Sequence, residues 1–241
     1  MILFISDLHL SPERPTTLKA FLEFLETTAI HARKLYILGD FFDAWVGDDD
    51  DTPEYQTNAA ALSKLNSSGT EIFFMHGNRD FLLGETYAAQ AGMSLLSDPT
   101  VVALPQGTAL LMHGDNLCTD DKEYQAFRTM VRTPEWQQAT LNLPLEERRA
   151  LARKLRETSK TMSSMKAEDI MDVNQEAVSQ VMEANQSKLL IHGHTHRPKR
   201  HDLSIKGQAA ERIVLGDWDK NGWYLQADEE GLELISFPIE A

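Results

Sequence analysis

Five short apolar runs, each stopping at a cluster of Asp, His or Asn, constrain this 241-residue chain more than any other feature. The runs cover residues 2–5, 34–38, 71–75, 109–112 and 188–191, and their length and Ile, Leu, Val and Phe content suit buried strands better than helices. The clusters are Asp7-Leu8-His9, Gly39-Asp40, Gly77-Asn78-Arg79-Asp80, His113-Gly114-Asp115 and Gly193-His194-Thr195-His196. Between the runs, residues 17–31 place Leu18, Phe21, Leu22 and Leu25 on one helical face, and residues 53–65 read as a second helix ended by Ser67-Ser68-Gly69. Strands alternating with helices predict a layered α/β domain, one unit over 1–241. In open α/β sheets the ligand crevice lies beyond the carboxyl ends of the strands, so all five clusters are expected to meet in one place.

Residues 116–187 lack strand signals and read as a helical insertion covering that place, a lid between the fourth and fifth runs. After His196, the stretches 213–215, 223–226 and 232–237 are strand-like and predict a second, closing sheet. The acidic run Asp48–Asp51 reads as a solvated loop before a helix beginning at Pro53.

The net charge of −14 argues against general affinity for nucleic acid or for an anionic membrane, so attraction to a phosphate-rich ligand must come from local clusters or from bound cations. The single cysteine, Cys118, excludes an intramolecular disulfide and reads as a buried, inert thiol. Neither a signal peptide nor a membrane-spanning apolar stretch is recognisable, which predicts a cytoplasmic protein.

The clustered donors mix imidazole, carboxylate and one amide oxygen without thiolate, a set suited to Mn, Fe, Co or Zn over Ca or an all-oxygen Mg site. Asp40 is the natural bridging carboxylate between two ions about 3.5–4 Å apart, the spacing at which they activate water and grip phosphate oxygens. Taken singly each motif is weak, since Asp-x-His is often a capping pair and Gly-Asn a turn; five in this order, each behind a strand, point to a metal site.

These clusters resemble the calcineurin-like metallophosphoesterase superfamily, an α/β sandwich of two mixed sheets flanked by helices. The resemblance implies that Asp7, His9, Asp40 and His196 hold one ion and that Asp40, Asn78, His113 and His194 hold the other. Asp80 and Asp115 would orient these ligands. With residues 36–45 ending in Asp40-Phe41-Phe42-Asp43-Ala44-Trp45, residues 76–84, 113–121 and 192–198, and Ile170-Met171-Asp172-Val173-Asn174, the chain is similar nearly throughout to the UDP-2,3-diacylglucosamine diphosphatases of lipid A synthesis. That likeness implies two Mn²⁺ per chain and cleavage to UMP and 2,3-diacylglucosamine 1-phosphate by attack on the α-phosphorus. It also implies peripheral association with the cytoplasmic face of the inner membrane, with no obligate protein partner. Asp40, Asn78, Arg79 and His113 would be catalytic, and Asn78, Arg79, Asp121, Ser159, Ser163, Lys166 and His194 would touch substrate.

Arg79 supplies independent chemistry. Many relatives in the superfamily carry a proton-donating histidine after the asparagine, whereas a guanidinium with a pKa above about 12 keeps its proton and binds phosphate oxygens in two places. A site without that acid suits a phosphate leaving group, as pyrophosphate cleavage provides. A structural salt bridge from Arg79 to Asp80 or Asp115 is the competing explanation. Residues 144–166 carry seven Arg or Lys against three Glu, with Arg149, Arg153, Arg156 and Lys160 on one helical stripe and Leu151, Leu155 and Met162 roughly opposite. This reads either as a solvated basic face or as a lid with cations toward phosphates and apolar residues, Trp136, Leu141, Leu143 and Leu145 among them, toward acyl chains. His76 and His192 read as packed structural histidines, and His31 and His201 as surface residues. A soluble dinucleotide or phosphoprotein substrate, or a metal-free binding scaffold, remain alternatives; the filled ligand positions weigh against the scaffold.

Overall fold

The computed structural model describes residues 1–164, 170 and 172–240, with the backbone alone at 160 and 162–164. Two sheets face each other. The first has the order β11-β10-β1-β2-β3-β4, from β1 (Ile2–Ile5), β2 (Lys34–Ile37), β3 (Glu71–Met75), β4 (Met93–Leu96), β10 (Asn221–Ala227) and β11 (Leu232–Pro238). The second has the order β5-β6-β7-β9-β8, from β5 (Thr100–Leu104), β6 (Gly107–Met112), β7 (Leu189–His192), β8 (Lys199–Ile205) and β9 (Gln208–Val214). Strands β1 to β4 run parallel, as do β6, β7 and β9, while β10 enters antiparallel beside β1.

Strand periodicity explains the layers. In β1, Ile2 and Phe4 face the second sheet with Leu111, Ile191 and Ile213, while Leu3 and Ile5 pack against Phe21, Leu25 and Leu62. Those last three lie on α1 (Pro15–Thr27) and α2 (Pro53–Ser67), which with α3 (Glu85–Ala91) cover the first sheet's outer face. Burial on both faces is why the strand reads as an uninterrupted apolar run. The insertion forms α4 (Lys122–Val131), α5 (Pro134–Leu141), α6 (Leu145–Ser164) and α7 (Gln175–Ala184). Its last helix places Val178 and Met182 on Leu110, Met112 and Leu190, so α7 covers the second sheet's outer face rather than the crevice.

The structure corrects three expectations. The five motif strands divide between the sheets, with β1, β2 and β3 in one and β6 and β7 in the other. The closing segment forms no sheet of its own, because β8 and β9 extend the second sheet and β10 and β11 return to the first. Asp48 to Asp51 are solvated only in part, with Asp49 and Asp51 exposed and Asp50 buried. Asp48 accepts from the backbone N–H groups of Gly84 (2.8 Å) and Tyr87 (3.0 Å) at the start of α3, Asp49 pairs with Arg148, and Arg149 reaches Asp50 (2.6 Å) and Asp51 (3.2 Å).

Arg148, 4% exposed, therefore fastens α6 to the body, since it also donates to the carbonyls of Val46 (2.6 Å) and Leu143 (3.0 Å). Arg148→Met leaves both carbonyls short of a donor, a loss of about 1–3 kcal/mol. Amide hydrogen exchange in α6 should then speed up about 5- to 150-fold while β1 to β3 stay protected. Unchanged exchange in α6 would show that the helix is held by its apolar face alone.

Candidate metal centre

The backbone beyond each strand end carries the clustered side chains toward one another. Asp7 N–H donates to Gly39 O and His9 N–H to Asp40 O, each at 3.0 Å, so the β1–β2 pairing continues past the strands. Gly39, at φ 86°, crosses Gly77 so closely that a Cβ there would lie 2.5 Å from Gly77 backbone and 2.6 Å from His113 Nδ1. Five of the seven donors sit in left-handed backbone: Asp7, His9, Asp40, His194 and His196, at φ between 50° and 69°.

Two trios result. The donor atoms of Asp7, His9 and His196 lie within 4.8 Å of one another, and so do those of Asp40, His113 and His194. Asp40 stands between them, Oδ2 4.0 Å from His9 Nδ1 and Oδ1 3.6 Å from His113 Nε2. Asn78 Oδ1 joins the second trio, 3.0 Å from His113 Nε2 and 2.9 Å from His194 Nδ1. All seven residues predicted as ligands are thus brought together.

These donors satisfy one another only in part. Asp7 Oδ1 and His9 Nδ1 are buried with no hydrogen-bond partner. His9 Nε2 and His196 Nε2 stand 3.2 Å apart, two ring nitrogens competing for one proton. A cation among them would satisfy every lone pair, so the residues present fit a pair of divalent ions.

Protonation shows the same tension. Burial pushes the Asp40 carboxyl up to about 7. Burial opposes a charge on His113, but the carboxylates of Asp40, Asp115 and Asp7 outweigh it and raise its pKa to about 9. Burial holds His9 well below the usual imidazole range and, with His113, lowers His194 to about 4. Asp7 is pulled down despite its burial by the adjacent His196 imidazole, 3.3 Å away, and by the charges of His113 and His9.

The surrounding residues depart from the sequence reading. Asp80 and Asp115 do not grip ligand side chains. Asp80 accepts from the backbone N–H groups of Gly77 (2.8 Å), Phe41 (2.7 Å), Asp40 (3.3 Å) and Phe42 (3.4 Å), tying the β2 and β3 loops together. Asp115 receives the Tyr124 hydroxyl and Arg128 Nε, both at 2.7 Å, which docks α4. Neither binds Arg79, whose guanidinium has no ion-pair partner among the described residues and instead lines a cavity of about 230 Å³. Orientation of the ligands comes from elsewhere. His113 Nδ1 donates to Leu38 O at 2.8 Å, Ser6 Oγ to Asp7 Oδ2 at 2.6 Å, and Arg79 N to Asp40 Oδ1 at 2.8 Å.

The cavity opens beside Asn78 and is walled by Trp45, Phe81, Phe127, Trp136, Leu151 and Leu155. Leu141 and Leu143 are 39% and 36% exposed and lie outside it, as does Leu145, which corrects their expected place. Asp121 and Ser159 reach the cavity, with Asp121 also capping α4 through Tyr124 N (3.0 Å). Lys166 and the side chain of Ser163 lie outside the described residues, as do the side chains of Lys160 and Met162. On the basic stripe, Arg149 pairs with the acidic loop, as does its neighbour Arg148, and Arg156 pairs with Asp43, so only Arg153 of the described stripe faces solvent. His76 bonds Leu83 O at 2.7 Å, His192 bonds Gly193 O at 2.8 Å, and burial raises the Cys118 thiol to about 12. His31 is exposed, but His201 is half-buried.

Two residues were missed from sequence. Tyr124 stacks on His194 with ring centroids 6.0 Å apart, and nothing in a helical Tyr announces that. Asp217 Oδ2 stands 3.7 Å from His196 Nδ1; a Gly-Asp behind a strand, the same signal as Gly39-Asp40, could have found it.

The calcineurin-like phosphoesterase profile matches residues 1–198. A protein from Cellvibrio japonicus named UDP-2,3-diacylglucosamine hydrolase is 56% identical, covering 98% of this chain and 99% of that one. Proteins of the same name from Marinobacter nauticus and Stutzerimonas stutzeri are 54% and 53% identical, covering 94% and 99% of this chain and 93% and 100% of their own.

In protein stripped of divalent ions, Asp40 and His113 hold protons more tightly folded than unfolded. Each contributes stability that fades as pH rises from its unfolded to its folded pKa: 3.8 to about 7 for Asp40, and 6.5 to about 9 for His113. His9 and His194, lowered by burial, act in the opposite sense, but only below 6.5. Between pH 6.5 and 9 the stripped protein should therefore lose thermal stability, and added Mn²⁺ should restore more at pH 9 than at pH 6.5. Melting curves with and without chelator check this; a stripped protein that gains stability across that window would contradict it.

Proposed function

Because the chain belongs to the calcineurin-like phosphoesterase family, we propose that it hydrolyses the pyrophosphate of UDP-2,3-diacylglucosamine, the substrate for which its relatives are named. The products are UMP and 2,3-diacylglucosamine 1-phosphate. Asp7, His9, Asp40 and His196 hold one Mn²⁺, and Asp40, Asn78, His113 and His194 the other. When bound, such a pair supplies positive charge to phosphate oxygens and acidifies water.

One observation carries the reading: an apolar-walled cavity opens directly beside Asn78 and Arg79, and Asn78 itself joins the second donor trio. A phosphoesterase for small soluble esters has no use for a recess lined by Trp45, Phe81, Trp136, Leu151 and Leu155, whereas an acyl chain does. In this arrangement α4, α5 and the described part of α6 serve as the lid. Arg79 has a fork unengaged by carboxylates among the described residues, suited to two phosphate oxygens at once. It donates no proton, and a phosphate leaving group needs none, its second pKa being about 6 by analogy with phosphoserine. Asp121 and Ser159 are placed to meet the polar part of the substrate.

We place the protein peripherally on the cytoplasmic face of the inner membrane, where this lipid substrate would reside. No helix of the described residues is long and apolar enough to cross a membrane. Met130, Leu141 and Leu143, exposed at or beyond the ends of α4 and α5, offer apolar surface beside the cavity helices.

The decisive comparison is kcat/KM for UDP-2,3-diacylglucosamine and for soluble nucleotide pyrophosphates, with Mn²⁺. The acylated substrate should be preferred by at least about 100-fold, since each buried CH₂ is worth about 0.8 kcal/mol. Equal rates would sink the substrate assignment. Leu155→Glu, inside the cavity, should remove most of that preference, whereas Leu141→Glu, outside it, should leave the preference in place. Equal effects of the two changes would mean that the cavity does not hold the acyl chains.

Arg79→Lys keeps the cation and loses the two-point grip, so kcat/KM should fall by about 10-fold or more with two ions still bound. Loss of bound metal in this variant would assign Arg79 to the scaffold and remove the leaving-group argument.

A further inference from the structure

We propose that Asp217 is a positioning residue for the ion held by Asp7, His9 and His196, accepting the Nδ1 proton of His196 and so aiming its Nε2 inward. This rests on the reading of that trio as an ion site. It goes further by assigning a carboxylate that lies beyond residues 1–198, the stretch matched by the family profile.

The two ring nitrogens of His196 have different neighbours. Nε2 lies 3.3 Å from Asp7 Oδ1 and 3.2 Å from His9 Nε2, inside the donor cluster. Nδ1 is the nitrogen nearer the one-third-exposed Asp217 carboxylate, whose Oδ2 stands 3.7 Å off, within ion-pair range. A carboxylate on the remote nitrogen of a ligating imidazole fixes the tautomer, orients the ring and strengthens the ligand.

His196 needs that help more than the other imidazoles. His113 is fully buried and fixed by its bond to the Leu38 carbonyl, and His194 is covered by the Tyr124 ring. The His196 side chain is 38% exposed and has no backbone carbonyl on Nδ1 among the described residues. Left to itself it would sample several rotamers, and the ion of the Asp7, His9 and His196 trio would lose one of its donors for part of the time.

Asp217 is also delivered from an unusually well-fixed stretch of chain. On one side Leu215 N–H donates to His192 O at 2.8 Å. On the other, Trp218 N–H donates to Asp7 O at 3.1 Å, so the segment is bonded to the backbone of a ligand residue. Trp218 is fully buried, its indole N–H donates to Trp223 O at 2.9 Å, and its carbonyl accepts from Arg14 Nη2 at 2.7 Å. Gly216 lets the chain pass beneath Trp223, whose ring would lie 2.4 Å from any Cβ placed there. The constraints on this segment act through backbone, Leu215 and Trp218, and the side chain that meets the Asp217 carboxylate among the described residues is His196. Asp217→Asn therefore changes the acceptor while leaving those anchors in place.

The test is equilibrium dialysis of metal-free protein against Mn²⁺. Wild type should bind two ions. Asp217→Asn should bind one with wild-type affinity and the other about 10- to 100-fold more weakly, and Asp217→Ser should repeat that loss. The metal-free variants should melt with the wild type, which a merely structural residue would not allow. In a His196→Ala background, where the weaker ion is already loosened, Asp217→Asn should cause no further loss. Two ions bound at wild-type affinity in Asp217→Asn would overturn the proposal, and so would an equal additional loss in the His196→Ala background, which would make Asp217 a ligand in its own right. A wild type that binds fewer than two ions would instead overturn the ion-site reading on which the proposal stands.

Discussion

Seven donors can converge here because the backbone bearing five of them turns into the left-handed region at the ends of strands. Each such turn by a residue with a side chain is unfavourable by roughly 1–3 kcal/mol, and it persists only where its surroundings over-determine it. Those surroundings are visible. Asp7 and His9 are bonded to the carbonyls of Gly39 and Asp40, Gly193 to that of His113, and Asp80 collects four N–H groups from two loops. Gly39 and Gly77 cross where no side chain would fit. The paired sheets hold the strands whose ends meet; the loops beyond them hold the strain. A fold selected for stability alone would not keep five such turns, or two opposed imidazole nitrogens, in one place. Their persistence argues for a ligand that compensates them.

Charge is distributed to the same end. The chain carries a net −14, yet its insertion presents arginines to the body. Asp49, Asp50 and Asp51 meet Arg148 and Arg149, and Asp43 meets Arg156, so much of the basic helix α6 is neutralised where it docks. Asp115 does the same for α4 through Arg128. Pairs as exposed as Asp51 contribute little to stability, but Arg148 is buried and cannot leave without stranding two carbonyls. What remains over the cavity is Arg79, a guanidinium with no carboxylate to hold it among the described residues. On the proposed reading, its counter-ion is the substrate.

The parts of this architecture that sequence disclosed are those governed by local pattern. Ile2–Ile5 and Glu71–Met75 are strands as written, because burial on both faces produces an uninterrupted apolar run. The ligand clusters were legible because chemistry forces rare residue types into fixed places behind those runs. What escaped depended on partners distant in the chain. β4 is four residues long, lies at a sheet edge and buries only Met93, so its composition barely differs from a loop. No periodicity reveals that β10 pairs with β1 across more than two hundred residues. The acidic loop looked solvated because its arginine partners lie about a hundred positions away, on a helix whose own basic stripe looked equally solvated. Leu141 and Leu143 resemble Leu151 and Leu155 in sequence; only the fold separates those facing the cavity from those facing water.

The cavity and the metal centre make different contributions to the proposed reaction. Burial of an acyl chain against Trp136, Leu151 and Leu155 changes little as the phosphorus centre reacts, so it favours substrate and transition state about equally. Such uniform binding raises kcat/KM and leaves kcat nearly untouched. On the proposed reading, Arg79 and the two donor trios would act where charge moves, on oxygens that gain negative charge as the bond breaks, and so would lower the barrier itself. Coupling the two requires only that the recess end at Asn78 and Arg79, where the polar head must then lie. The structure meets that requirement with one short stretch of chain, because Asn78 faces His113 and His194 while its neighbours Arg79 and Phe81 line the recess. A ligand residue and a pocket wall separated by three positions cannot move independently. Anything that seats the acyl chain against Phe81 also sets the register of the phosphates against the ions, and an acylated substrate gains precision as well as affinity from its lipid part.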